Sequence, residues 1–232
     1  MARRYFANPL PPAGPTLLSP RLGHHLGRVV RARAGDAAVL FDGAGAERHA
    51  TVLEVRGRDV LVDVGAPAAR PSGRSARLAL DVAVALPKRP RADWLFEHGT
   101  EAGIRSFRPI LTERTNRQDE PRTHWQRILI AACTQCDRSI LPTIEPTVTL
   151  EELCAMPQPA ARYVATMADA ELGPVRAATA LLVVGPEGGL TEREVAQLTA
   201  AGFAPRGLGP LTLRTETAVL AGAVRLLQTP PD

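Results

Sequence analysis

The chain has 232 residues, with 28 lysines and arginines against 24 aspartates and glutamates, and a formal net charge of +4. It contains no apolar run of about 18 residues, and prolines rather than an apolar stretch follow Met1–Phe6, so the sequence predicts neither a membrane span nor a secretory leader. Its three cysteines are too few for a disulfide scaffold, so composition predicts a cytoplasmic protein.

Positive charge is concentrated at the amino terminus, and it is almost all arginine because Lys88 is the only lysine. No acidic residue precedes Asp36, whereas the same stretch carries six arginines: Arg3, Arg4, Arg21, Arg28, Arg31 and Arg33. Guanidinium groups bind phosphates through planar pairs of donors, so this pattern favours RNA binding. The alternative is a solvated face that reflects the coding bias of a GC-rich genome.

Residues 1–72 predict a small β-rich domain. Three short apolar runs separated by glycine turns read as strands: 37–41, 49–55 and 59–64. Such a series of strands in a small domain predicts a closed barrel, with a short helix or turn over 24–30 beside it. The stretch 66–77 is rich in Ala, Pro, Gly, Ser and Arg, which is typical of a linker.

Residues 73–232 alternate apolar strands with helices, which predicts an α/β domain with a parallel sheet. The continuous apolar run 78–86 is typical of a strand that is buried on both faces. The remaining predicted elements are helix 92–102, strand 107–111, helix 125–136, strand 162–167 and the two strand–loop–helix segments that end the chain.

The first of these two segments is Leu181–Val184 followed by Gly185-Pro-Glu-Gly-Gly-Leu190. Thr191 and Glu194 have capping-box spacing, so a helix is expected from there to Gly202. The loop is neither a Walker phosphate loop nor a dinucleotide fingerprint. It is expected at the carboxyl edge of the sheet, where open α/β sheets bind ligands, and the alternative is a turn without a ligand.

The second segment is Leu208-Gly-Pro-Leu-Thr-Leu-Arg-Thr-Glu-Thr-Ala218. Its helix is expected to have Thr215 or Thr217 as N-cap, and its strand to lie beside the first segment's strand. The predicted buried face consists of Val219, Leu220, Ala223, Val224 and Leu227. Arg214 and Glu216 favour a functional site, and an ion pair between them is the structural alternative.

Cys133 and Cys136 have the Cys-x-x-Cys spacing of a redox or zinc half-site. No second cysteine pair or close histidine pair completes a zinc tetrahedron, and redox pairs lie at helix amino termini rather than in the middle of a helix. The sequence therefore predicts structural packing for this pair and no metal site.

The two final loops, in this order and spacing, resemble the last two motifs of the SPOUT class of S-adenosylmethionine-dependent RNA methyltransferases. The nearest likeness is the RsmE family, which methylates N3 of a uridine in small-subunit (16S) ribosomal RNA. The family's usual lysine is replaced by His98, and its Glu-Leu-Gly by Glu101-Ala-Gly103. Further matching segments are 24–31, 34–36, 40–43, 93–103, 109–114 and 131–138 with Pro142.

The resemblance implies a PUA-like β-barrel over residues 1–72 and a SPOUT α/β domain with a carboxyl-terminal trefoil knot over 73–232. It also implies S-adenosylmethionine as cofactor, and ribosomal RNA within the small subunit and a second copy of the chain as partners. The implied cofactor-binding residues are Thr166, Gly185, Pro186, Glu187, Gly188, Gly189, Leu208, Gly209, Leu213, Thr215, Thr217 and Ala218.

The implied RNA-binding residues are Arg3, Arg4, Arg28, Arg31, Arg114, Gln135 and Arg138. Arg214 is the expected stabiliser of a uracil anion, and either Glu216 or Glu187 is the expected base. A SPOUT 2′-O-ribose methyltransferase and a non-catalytic RNA-binding protein are the alternative functions.

Overall fold

The computed structural model describes residues 2–68, 77–115 and 120–228. The chain divides into two compact units. The first consists of Met1–Ser75 with Cys133–Leu141, and the second of Ala76–Ala132 with Pro142–Asp232. A short segment from the middle of the sequence therefore belongs to the amino-terminal unit.

The first unit is built on a five-stranded sheet with the order β1-β3-β4-β5-β2. Its strands are β1 (Arg3–Phe6), β2 (Gly14–Leu17), β3 (Ala37–Phe41), β4 (Glu47–Arg56) and β5 (Asp59–Pro67). In the described part of the unit the hydrogen-bonded ladder is open, because β1 and β2 are its two edges, and not closed as predicted. Helix α1 (Pro20–His24) continues into a π-helical turn over His25–Val30, where a helix or turn was expected.

Alternation along β4 and β5 builds the core of the first unit. Val52, Val60, Val62 and Val64 are buried while their sequence neighbours are more exposed, as expected when one face of a sheet packs inward. These side chains join Tyr5 and Leu26 in one apolar cluster.

Arg4 lies inside this unit rather than on its surface. Its Nη2 donates to Glu47 Oε1 and to Ser139 Oγ, each at 2.6 Å, and the residue is only 6% exposed. Removing one partner of a buried pair leaves an uncompensated charge, which typically costs about 3–5 kcal/mol. The predicted phosphate-binding role of Arg4 is therefore wrong, because its guanidinium is already used in packing.

The second unit is a parallel sheet with helices, and its described strands follow the order β12-β10-β11-β6-β7-β8, with β9 paired to β7. Its strands are β6 (Ala79–Val84), β7 (Ser106–Leu111), β8 (Thr143–Ile144), β9 (Val148–Thr149), β10 (Ala161–Glu171), β11 (Thr179–Val184) and β12 (Ala204–Gly207). Its helices are α2 (Arg91–Ala102), α3 (Arg122–Gln135, whose last turn lies in the first unit), α4 (Leu150–Ala155), α5 (Glu192–Ala200) and α6 (Thr215–Leu227).

Central strands of this sheet are apolar along almost their whole length. Leu80, Val82, Ala83 and Val84 of β6 are fully buried, and β11 is buried from Ala180 to Val184. Strands covered on both faces require this composition, so the prediction from the 78–86 run is confirmed. The two final glycine loops, however, do not follow neighbouring strands, because β10 lies between β11 and β12 and pairs with both in parallel.

Helix α6 differs from its prediction in two respects. Its N-cap is Arg214, and Thr215 is already the first helical residue, so neither threonine is the cap. Val219 and Ala223 are buried as expected, but Val224 is 46% exposed and Leu226 is buried instead. The buried residues Val219, Ala223 and Leu226 follow the i, i+4, i+7 spacing of one helix face, and Val224 lies beside that face.

The cysteine pair lies at the end of α3 and not in the middle of a helix, since Cys136 follows the last helical residue. Cys133 is buried, and burial raises the pKa of its thiol to about 12. A thiol in this state is a poor nucleophile, which supports a packing role. The described residues contain no group of His, Cys, Asp and Glu able to hold a metal ion. Among the helices described, none is both long and apolar enough to span a bilayer.

Candidate active site

The loop after β11 is held in place by its neighbours. Thr191 and Glu194 form the predicted capping box at the start of α5. The buried Glu194 also accepts a hydrogen bond from the backbone N–H of Glu113 at 2.8 Å, in the loop after β7. Arg114 in that loop donates to the carbonyl of Gly188. Side chains thus hold the middle and the carboxyl end of the 185–190 loop.

Glu113 strengthens the same junction. Its carboxylate accepts hydrogen bonds from Arg193 Nε and Thr191 Oγ1, each at 3.0 Å. Hydrogen bonds from Arg193 and then Thr191 lower the pKa of the Glu113 carboxyl below its usual value. The carboxylate is therefore ionised at neutral pH and keeps these contacts.

Three strand ends enclose a cleft of about 330 Å³, which we call the glycine cleft. Eleven of the twelve residues predicted to bind a cofactor line it, and the twelfth, Thr217, does not. Most lining residues come from the loops after β11 and β12, and the others come from the intervening β10, which includes Thr166, and from the first turns of α5 and α6. Thr215 Oγ1 donates to the carbonyl of Gly185 at 3.1 Å, which joins the two loops.

Gly189 and Gly209 give this cleft its open floor. Both have left-handed backbone, with φ of 73° and 124°, which favours glycine. A Cβ atom placed on either would meet no other atom within 4 Å. The missing side chains therefore leave space in which a ligand can contact the backbone directly.

A second depression, of about 610 Å³, adjoins the cleft, and we call it the Trp94 groove. Thr212 and Leu213 line both. The groove's other lining residues are Pro90, Arg91, Trp94, Arg214, Glu216 and Thr217. The first three were not predicted as site residues, although Pro90 and Trp94 stand at the start of a predicted helix, where the sequence shows an aromatic side chain after an apolar strand.

The two predicted catalytic residues share this groove but do not pair. Arg214 is exposed, and no ion pair joins it to Glu216 in the part of the chain that the structure describes. Glu216 is only 6% exposed, and its Oε2 has no hydrogen-bond partner. The ion-pair alternative for these residues is therefore wrong. Glu187, the other candidate base, is exposed and bound to Arg91 at 2.8 Å.

The predicted RNA-binding residues have different environments. Arg3 and Arg31 are exposed and line one groove of about 490 Å³ on the first unit, and Arg28 is also exposed. Gln135 is exposed, whereas Arg138 is half-buried and burial lowers the pKa of its guanidinium. Arg114 contacts the glycine-cleft loop, as described above. The polar residues Asn116, Arg117 and Gln118, which follow Arg114 in the sequence, were also candidates for the cleft, and they lie outside the described residues.

Comparisons with known proteins agree with this architecture. The sequence model of the RNA methyltransferase domain matches residues 74–227, and that of the RNA methyltransferase PUA domain matches residues 18–64. The fold and the glycine cleft, with these matches, define an RNA methyltransferase.

Comparison with individual proteins identifies the family within this class of RNA methyltransferases. The chain is 31% identical to ribosomal RNA small subunit methyltransferase E of Mycobacterium bovis, over 98% of this chain and 92% of the relative. It is 32% identical to the protein of the same name from Synechocystis, over 84% and 67%. A ribosomal RNA small subunit methyltransferase E from Neisseria gonorrhoeae, crystallised bound to S-adenosyl methionine, superposes with a TM-score of 0.85 at 27% identity, covering 96% of this chain and 95% of that one. The chain belongs to the ribosomal RNA small subunit methyltransferase E family, and the predicted family is confirmed.

Proposed function

We propose that this protein transfers a methyl group from S-adenosylmethionine to N3 of a uridine in small-subunit ribosomal RNA. The observation that carries the proposal is the glycine cleft that adjoins a groove holding an exposed arginine and a buried carboxylate. The names of the relatives favour methylation over RNA binding without catalysis, and membership of this family supports N3 of uridine over a 2′-O-ribose.

The glycine cleft fits the proposed cofactor. Its two left-handed glycines and the carbonyls and N–H groups of the 185–190 loop present backbone to a ligand, which suits an adenine edge. Apolar contacts come from Leu190, Leu208 and Ala218. When bound, S-adenosylmethionine supplies a methyl group on a positively charged sulfur, and the electron pair of the broken carbon–sulfur bond stays on that sulfur.

Residues of the Trp94 groove act on the acceptor. Neutral uracil carries a proton on N3 and has no free lone pair there, so that proton must leave as the new bond forms. The unpartnered oxygen of Glu216 is the better base, because Glu187 is exposed and already paired with Arg91. Arg214 stabilises the negative charge that develops on the uracil oxygens.

In this proposal residues 1–72 act as the RNA-binding domain and 73–232 as the methyltransferase domain. The insertion of β10 between β11 and β12 supports a carboxyl-terminal knot, since the chain must return across β10 to place β12 at the edge. Met167 and Leu211, which are 65% and 75% exposed at the glycine cleft, support a homodimer in which a partner covers them. Ribosomal RNA as the proposed substrate supports a cytoplasmic location.

Nucleoside analysis tests the proposed reaction. Small ribosomal subunits that lack the modification are incubated with the protein and a methyl-labelled donor, digested to nucleosides and separated. We expect label in N3-methyluridine. Label in a 2′-O-methyl nucleoside would show that the protein methylates a ribose 2′-hydroxyl instead. No label at all would favour an RNA-binding protein without catalytic activity.

Gly189→Val tests the glycine cleft. Valine at a φ of 73° strains the loop, and its branched side chain enters the open floor of the cleft. We expect calorimetry to show no measurable binding of S-adenosylmethionine, while circular dichroism remains that of the folded protein. A folded variant that binds the cofactor normally would remove this loop from the site.

Charge removal at Arg28 and Arg31 tests the RNA-binding surface. Both side chains are exposed on the first unit, so the double change to glutamine removes two phosphate contacts without touching the core. We expect weaker RNA binding and a slope of log affinity against log salt that is flatter by about 1.4 for single-stranded RNA. Cofactor affinity is the control and should not change. An unaltered salt slope would show that these arginines are only solvated.

A further inference from the structure

Trp94 is a partly exposed aromatic ring held in a defined position. It is 38% exposed, whereas the protein's other tryptophan, Trp125, is 2% exposed. The ring of Trp94 meets that of His98 edge-on, with 4.3 Å between ring centroids, and His98 Nδ1 lies 2.8 Å from Glu101 Oε2. One side of the indole is therefore supported by its own helix, while the residue also lines the Trp94 groove.

Helix α2, which carries Trp94, is itself anchored. Asp93 Oδ1 accepts a hydrogen bond from Trp125 Nε1 at 3.0 Å, and its Oδ2 lies 2.9 Å from His124 Nε2. The helix also packs against α6, which carries Glu216. The aromatic ring and the carboxylate thus stand on two packed helices and not on mobile loops.

Glu216, which lines the groove, has a buried polar atom with no partner of its own. Glu216 Oε2 is inaccessible and accepts no hydrogen bond, and a buried carboxylate oxygen in this condition costs free energy unless a ligand satisfies it. An exposed Arg214 lines the same groove. A flat ring with an N–H donor between two carbonyl oxygens complements this set of an aromatic face, an acceptor and a cation.

We propose that the Trp94 groove holds the flipped-out acceptor base, with Trp94 as the surface on which the uracil ring stacks. This inference rests on the proposed function. Leu213 and Thr212 line both the groove and the glycine cleft, so a base in the groove lies beside the methyl donor's site. Trp94 is a positioning residue whose contact with the base substitutes for the stacking lost when the base leaves its helix.

Trp94→Ala and Trp94→Phe test the stacking role in single-turnover methylation of small ribosomal subunits, with subunits and cofactor both saturating. We expect the alanine variant to be slower by roughly ten- to hundredfold, the range of base–aromatic stacking. Phenylalanine should restore most of the rate because it keeps an aromatic face. Subunit affinity should change little, because the arginines of the first unit supply phosphate contacts.

Glu97→Ala is the matched control, since Glu97 is exposed on the same helix and does not line the groove. It should keep the wild-type rate. Melting temperature, cofactor affinity and oligomeric state are measured on every preparation. A wild-type rate for Trp94→Ala, an equal loss in Trp94→Phe, or a loss that follows dissociation of a dimer would each overturn the assignment. The rates of the variants relative to the wild type test the role of the groove, whichever atom is methylated. The identity of the nucleoside that the wild type produces tests the proposed function separately.

Discussion

Arg214→Ala is expected to lower the single-turnover methylation rate by about two to three orders of magnitude, the usual cost of losing one electrostatic donor. The reason is that Arg214 acts on charge that develops on the uracil only as N3 loses its proton. Binding of RNA and cofactor uses it little, so both affinities should stay within severalfold. Arg214→Lys should recover part of the rate, because an ammonium lacks the planar fork of the guanidinium.

A structural arginine would behave differently. Arg214 is exposed, and although its backbone caps α6 its side chain makes no capping hydrogen bond. The melting temperature of Arg214→Ala should therefore match that of the wild type. A variant that melts earlier yet methylates at the wild-type rate per folded molecule would end the catalytic assignment.

Glu216→Gln is expected to reduce the same rate by about two to four orders of magnitude, the range for a lost general base. An amide fills nearly the same volume but does not take the N3 proton. Stability should be unchanged or higher, because the substitution removes a buried carboxylate whose Oε2 has no partner. A substitution that lowers activity but raises stability indicates a residue that is retained for function and not for folding.

Glu187→Gln is the matched comparison for this prediction. Glu187 is an exposed carboxylate in the neighbouring loop and its known contact is with Arg91. Glu187 also lines the glycine cleft, so the rate is measured with saturating cofactor. Under that condition its loss should leave the rate within a few-fold of wild type, since exposed ion pairs contribute about 1 kcal/mol or less. If instead Glu187→Gln abolished methylation and Glu216→Gln did not, the base would be Glu187.

Local sequence signals located the longer elements of the second unit, but the short β8, β9 and α4 were not predicted. The apolar run of β6, the capping box of α5 and the two glycine loops each depend on residues close together in the chain. The order of the strands in the sheet could not be predicted from these local signals. It depends on the pairing of β10 with both β11 and β12, which lie far from each other along the chain. The start of α6 was misplaced since Thr215 donates to Gly185 in the other loop, so its hydroxyl is used for a tertiary contact and not for capping.

The same difference between local and long-range features explains why some site residues were predicted from the sequence and others were not. The glycine loops carry a recognisable pattern, and the residues placed there by resemblance line a single cleft apart from Thr217. Trp94 belongs to a helix that is distant in sequence, and its place beside Glu216 depends on the packing of α2 against α6. Arg4 was misread because sequence shows charge but not burial, and its partners Glu47 and Ser139 are far along the chain.

The buried contact between Arg4 and Ser139 bears on how the protein forms during synthesis. The amino-terminal unit includes residues 133–141, so the ribosome must make more than half of the polypeptide before that unit has all its parts. Until then Arg4 and Glu47 lack the Ser139 hydroxyl that they share. A nascent chain that stops between the two units is therefore expected to expose unfinished β structure, and the two halves of this protein mature together rather than one after the other.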